Sequence, residues 1–302
     1  MMYLKYPNYF LTDDGENIFY STNFENYSPD DTLLVFNYGL VCSNFHWKFQ
    51  LPFFEEKGYK MLIHNYRAHY NSTSKGLIES VSFDNIVNDI NQILSQFNFK
   101  NIIMLGHSMG VNTTLEFAKR FPEKLKGMIL ISGSVLPPQD VMFDNNYMGI
   151  IMPYVEKFSK LYPKAADFAW KYGSYNPLIQ LMILNGGFNP KRVGLDFIQV
   201  YMNKIAQLPQ ELFMKLFKEM GTHDAISFLE NIETKALIMG GDADKIIPLY
   251  VQFIMHQKLK NSEFYIIKDG SHVPQIDFPD SINERIDLFI NDVLNTVSTA
   301  NK

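Results

Sequence analysis

The stretch Asn101-Ile102-Ile103-Met104-Leu105-Gly106-His107-Ser108-Met109-Gly110 is an apolar run that breaks abruptly into a Gly-x-Ser-x-Gly pentapeptide. A run this short and continuous suits a strand buried on both faces. The residues that follow, up to Arg120, have a helical pattern. Strand, sharp turn and helix is the context in which such a pentapeptide lifts a serine hydroxyl above the carboxyl edge of a sheet. The glycines let a strained turn approach neighbouring backbone where a Cβ would clash. Ser108 is therefore the candidate nucleophile; the competing reading is a structural turn with an incidental serine.

Working outward, the same kind of run recurs at residues 32–36, 61–63, 127–131, 235–239 and 263–267. Near the amino terminus, residues 9–23 read as two extended segments around Asp13-Asp14-Gly15, where Asp-Gly supplies the positive φ of a hairpin turn. Helical periodicity fills the gaps. It is clearest after Ser82, a candidate N-cap, where Phe83, Ile86, Val87, Ile90, Ile93, Leu94 and Phe97 follow i, i+3, i+4, i+7 spacing, and Gly58 ends the helix before. Strands alternating with helices predict an α/β fold: a mostly parallel, twisted sheet flanked by helices on both faces. One interval breaks the rhythm. About a hundred residues separate the runs at 127–131 and 235–239, helix-like and punctuated by Pro137, Pro138, Pro153, Pro163, Pro177, Pro190 and Pro209. So long a structureless loop is improbable, and the interval is read as an inserted helical cap or lid. The expected organisation is core over 1–136, cap over 137–222 and core again over 223–302.

A serine hydroxyl needs a base, and the base needs a carboxylate to orient it. The chain supplies both downstream, in the order Ser, Asp, His. The run at 235–239 leads into Gly240-Gly241-Asp242-Ala243-Asp244, and the run at 263–267 into Asp269-Gly270-Ser271-His272. Each candidate lies just past the carboxyl end of a strand, the edge where α/β sheets place their sites.

With these residues the chain resembles the α/β-hydrolase-fold superfamily, in its capped serine-hydrolase branch. The resemblance runs from the Asp-Gly hairpin to the last helix near Phe289. It implies that the acid is the last residue of a G-x-x-D pattern before an apolar-Pro pair, here Asp244 ahead of Ile247-Pro248, which favours Asp244 over Asp242. His272 matches the G-[SG]-H segment and becomes the base. The oxyanion donors implied are the backbone N–H of Met109, after the nucleophile, and of Leu40, in a loop that normally reads His-Gly-x and here reads Tyr38-Gly39-Leu40. Residues 65–72 resemble a D-x-R-G-x-G-x-S stretch that has lost its Asp and both Gly but keeps Arg67 and Ser72, for which a structural role is expected. The implied activity is hydrolysis of a carboxylic ester, or a lactone, of a small or medium apolar acyl group through an acyl-enzyme, without metal or cofactor. Thioester hydrolysis, acyl transfer and C–C bond hydrolysis use the same triad. A reading of another class is a slow-turnover ligand receptor.

Composition bounds the remainder. Hydrophobic residues make up 46% and charged residues 20% of 302 positions, which excludes an intrinsically disordered chain. A net charge of −5 without a Lys/Arg run argues against nucleic acid as a partner. The lone Cys42 cannot form an internal disulfide, residues 1–17 lack a signal-peptide pattern, and no run approaches the roughly 18 residues of a membrane span. A cytoplasmic protein is expected, and nothing here sets its oligomeric state. Among the other histidines, His107 is expected to pack away from Ser108. His64 and His69 lack the carboxylates of a metal site, and His223 could line the pocket or the surface. Aromatics are spread evenly, but the cap holds 7 of 15 methionines, which tilts the substrate towards the apolar.

Overall fold

The computed structural model describes residues 4–72, 78–144 and 147–300. The first three positions of the amino-terminal stretch and the last two of the expected 223–302 core lie outside the described residues. The chain opens as an antiparallel hairpin, β1 (Tyr6–Leu11) and β2 (Asn17–Thr22), with Leu11 opposite Asn17. Gly15 supplies the positive φ, 86°, on which the turn depends. Then follow β3 (Thr32–Asn37), α1 (Gln50–Glu56), β4 (Lys60–His64), α2 (Phe83–Leu94), β5 (Asn101–His107), α3 (Met109–Arg120) and β6 (Leu125–Ile131). A helical stretch comes next: α4 (Pro138–Val141), α5 (Tyr147–Leu161), α6 (Pro163–Gly173), α7 (Pro177–Gly187), α8 (Leu195–Ile205), α9 (Gln210–Thr222) and α10 (Ile226–Leu229). The chain rejoins the sheet as β7 (Lys235–Gly241), α11 (Leu249–Lys258) and β8 (Ser262–Ile267), and closes with α12 (Pro274–Asp277) and α13 (Pro279–Ala300).

The eight strands described form one sheet in the order β1-β2-β4-β3-β5-β6-β7-β8. Pairing is antiparallel from β1 through β2 to β4 and parallel from there to β8. Period-2 alternation sends each apolar run to both faces. Leu33, Val35, Met104 and Ile238 meet α2, α3 and α11 on one side; Leu34, Phe36, Ile103 and Leu237 meet α1 and α13 on the other. Each such side chain contributes about 1.5–3 kcal/mol on burial, so the two layers specify the strand register tightly. Ser82 caps α2 by accepting from the Asn85 amide at 3.2 Å, and the spaced residues Phe83 to Leu94 are buried beneath it. Pro163 and Pro177 begin α6 and α7, where a missing N–H costs nothing. Pro153 behaves differently from its expected role as punctuation. Helix α5 continues through it, leaving the Gly149 carbonyl without its usual helical donor.

Candidate active site

All parallel strands point their carboxyl ends to one edge, and there the loops after β3, β5, β7 and β8 converge. Ser108, between β5 and α3, sits at φ 54° and ψ −121°, a strained conformation for a residue with a Cβ. Two contacts hold it. Its amide donates to the Ile131 carbonyl at 2.9 Å, and α3 packs so closely on β3 that a Cβ on Gly110 would stand 2.2 Å from the Asn37 oxygen. Only glycine fits at that crossing.

The structure brings three of the expected residues into one hydrogen-bonded chain. His272 Nε2 lies 3.1 Å from Ser108 Oγ, and His272 Nδ1 lies 3.0 Å from Asp244 Oδ2. The buried Asp244 spends its other oxygen on the Ile246 and Ile247 amides, at 2.8 and 2.9 Å, which fixes the plane of the carboxylate. Asp242 is not part of this chain: it is exposed and accepts from the Asp269 amide at 2.7 Å, tying the β7 loop to the β8 loop.

The loop after β3 carries the two expected amide donors' surroundings. A Cβ on Gly39 would lie 3.0 Å from Ser108 Cβ, so the loop passes directly over the serine. Met109 is the first residue of α3, and its amide has no carbonyl one turn back to bind. Leu40 is half-buried and followed by Val41 at φ 45°. Tyr38 supports this loop in a way its sequence position did not disclose. Its hydroxyl accepts from the Tyr66 amide at 2.9 Å while the Tyr66 hydroxyl donates to the Tyr38 carbonyl at 2.9 Å, with the two rings 4.4 Å apart. Cys42, whose thiol burial pushes up to about 12, is packed there in the core.

His107 does more than pack. Its Nε2–H donates to the His272 carbonyl at 2.9 Å, tethering the loop that carries the candidate base. Burial, with His272 and His46 alongside, holds its pKa well below the usual histidine value, so the ring is neutral. A second tether is the Ser271 amide on the buried Asp277 carboxylate at 2.7 Å. His46 stacks on Tyr201 of α8 at 5.3 Å and meets His107 edge-on at 5.3 Å, linking the helical stretch to the site. The His107 and His46 contacts have no sequence motif, because each joins residues remote in the chain.

Arg67, buried, makes a two-pronged bond to Asp89 at 2.8 and 2.5 Å and reaches Asp14 at 3.0 Å. Ser72 Oγ donates to the Asn65 carbonyl and accepts from the Phe19 amide, both at 2.9 Å. His64 and His69 are buried and bonded to Asn37 Oδ1 at 2.9 Å and to the Arg67 carbonyl at 3.0 Å. His223, half-buried, bridges Asn112 at 3.1 Å and Glu116 at 3.2 Å on α3.

A mostly parallel sheet in this strand order, with a strained serine after β5 and a histidine beyond β8, has the α/β-hydrolase fold. The family model described as alpha/beta hydrolase fold matches residues 32–167. Among curated proteins the chain is 23% identical over 277 residues to the non-heme chloroperoxidase CPO-A1 of Kitasatospora aureofaciens, covering 86% of this chain and 90% of the relative. It is 22% identical over 283 residues to the bifunctional esterase/perhydrolase DCH of Acinetobacter calcoaceticus, covering 90% and 92%. Among solved structures, the esterase EaEST from Exiguobacterium antarcticum superposes with a TM-score of 0.74 at 16% identity, covering 96% of this chain and all of that one.

Proposed function

We propose that the protein is a serine hydrolase that cleaves a carboxylic ester, or a lactone, of a small or medium apolar acyl group, with Ser108 as nucleophile, His272 as base and Asp244 as orienting acid. The observation that carries the reading is the hydrogen-bonded chain from Ser108 Oγ through His272 to Asp244. In this reading Ser108 O–H gives its proton to Nε2 as Oγ attacks the acyl carbon, while Nδ1–H remains on Asp244, whose charge stabilises the imidazolium. The developing oxyanion takes the amides of Leu40 and Met109. Collapse expels the alcohol, which leaves with the proton from Nε2, and water then repeats the sequence on the acyl-enzyme. Residues 137–222 serve as a cap; Leu184, Phe188, Val193 and Phe197 from it cluster with Val273, beside the base, and give the site an apolar wall.

A fluorophosphonate probe is expected to modify Ser108 and no other serine, and p-nitrophenyl butyrate to give a pre-steady-state burst approaching one equivalent. No labelling and no burst would sink the reading. The esterase/perhydrolase name of one relative favours a second reaction of the same intermediate, transfer of the acyl group to hydrogen peroxide in place of water.

The tyrosine pair offers a separate check on the oxyanion loop. Tyr66→Phe removes the donor from the buried Tyr38 carbonyl and is expected to cost about 1–2 kcal/mol of stability. If the pair aims the Leu40 amide, kcat falls about tenfold at unchanged KM; an unaltered kcat would dissociate the pair from the oxyanion.

A further inference from the structure

More than half of the large hydrophobic side chains exposed among the described residues lie in residues 150–182, on three consecutive helices and the turns between them. They are ordered, not scattered. On α6, Ala166 is buried and Trp170 turns inward, its ring 5.3 Å from Phe213 of α9 and its N–H on the Leu208 carbonyl at 2.9 Å. Phe168 and Tyr172, one turn apart on the opposite face, are left in solvent. Helix α7 carries no charged residue at all, yet Leu178 and Met182 are 71% and 73% exposed, while Leu184 packs inward on the cluster that includes Val273. A helix apolar on every side belongs inside something. At eleven residues α7 is too short to span a bilayer and of the length that lies in its interface.

Charge and ring chemistry identify what covers this face. The chain as a whole carries −5, but residues 147–187 hold Lys157, Lys160, Lys164 and Lys171 against only Glu156 and Asp167. All four lysines are exposed. Long cationic side chains beside apolar stripes, with tyrosines whose rings are apolar and whose hydroxyls are wet, match the boundary between acyl chains and anionic headgroups. The geometry points to α5, α6 and α7 as a docking face for an anionic lipid surface, on which the protein lies with Leu178, Met182, Phe168 and Tyr172 among the acyl chains and the lysines at the headgroups. A second copy of the chain fits less well, since it would set lysines against lysines.

Flotation of the intact protein with phosphatidylcholine vesicles, with and without phosphatidylglycerol, tests the inference, and Ser108→Ala serves equally well because no turnover is read. Binding is expected on the phosphatidylglycerol vesicles and to weaken as salt is raised. Leu178→Gln with Met182→Gln is expected to weaken partitioning about tenfold or more, and Lys157→Gln with Lys160→Gln about fivefold per lysine. Leu288→Gln, an exposed leucine on α13, is expected to change nothing. Equal recovery of wild type and the Leu178/Met182 variant in the unbound fraction would overturn the proposal. So would a lipid-free dimer that the Leu178/Met182 variant splits into monomers, which would assign the face to a second copy.

Discussion

Ser108→Ala is expected to lower kcat for p-nitrophenyl butyrate by about 10⁴–10⁶-fold, with KM little changed and the fold intact. The magnitude follows from what is removed: the proposed acyl-enzyme needs an oxygen at this position, whereas binding and oxyanion contacts act on the substrate whether or not Ser108 is present. The acid separates geometry from charge. Asp244→Asn keeps an acceptor for the Ile246 and Ile247 amides on its carbonyl oxygen but can present its NH2 to His272 Nδ1, selecting the wrong tautomer. A loss of about 10⁴-fold is expected. Asp242→Asn, at an exposed carboxylate that accepts from the Asp269 amide, is expected to stay within about threefold of wild type. If the two aspartate variants lost activity equally, the assignment of the acid to Asp244 would fall.

The second large effect concerns acid. Burial pushes His46 and His64 down to about 3 and His69 down to about 4, and His107 lies well below its ordinary value. In the unfolded chain each returns to about 6.5. The unfolded state therefore binds more protons, so the stability is complete above that value and is lost as the pH falls from about 6.5 towards the folded pKa values. The slope approaches about 1.4 kcal/mol per pH unit for each histidine. Four together exhaust a typical stability of about 5–15 kcal/mol within a few pH units. The urea midpoint is expected to drop steeply between pH 6.5 and 5, and unfolding at pH 5 to take up about four protons from these residues by calorimetry in buffers of different ionisation enthalpy. A midpoint that stays level over that interval would show that these rings do not remain neutral and buried.

Much of the fold was legible because its central strands are apolar on both faces. Residues 101–105 and 235–239 could hardly be anything but buried, and the glycines and aspartates that follow them mark the turns at the sheet edge. The places of the candidate serine, aspartate and histidine were legible for the same reason, since each follows such a run, but the choice of Asp244 over Asp242 came from the family resemblance. The Tyr38–Tyr66 pair and the tethers from His107 and Asp277 were not, because a side-chain bond to a distant backbone leaves no periodicity. The helical stretch was legible as helices but not as to which way they face. An apolar stripe has the same spacing whether it turns to a core or away from it, and the methionines divide accordingly: Met202 and Met220 are buried, Met182 exposed.

Strands β6 and β7 are direct neighbours, with Ile131 opposite Met239, although the described residues between them along the chain include seven α-helices. The chain thus departs and returns through one doorway, and the sheet's hydrogen bonding is complete whatever is threaded between. Loop-closure entropy rises by only about 0.6 kcal/mol for each doubling of such an excursion. The helical stretch is accordingly a cassette. Its length and its outward chemistry can change without disturbing the strands that deliver the serine, aspartate and histidine.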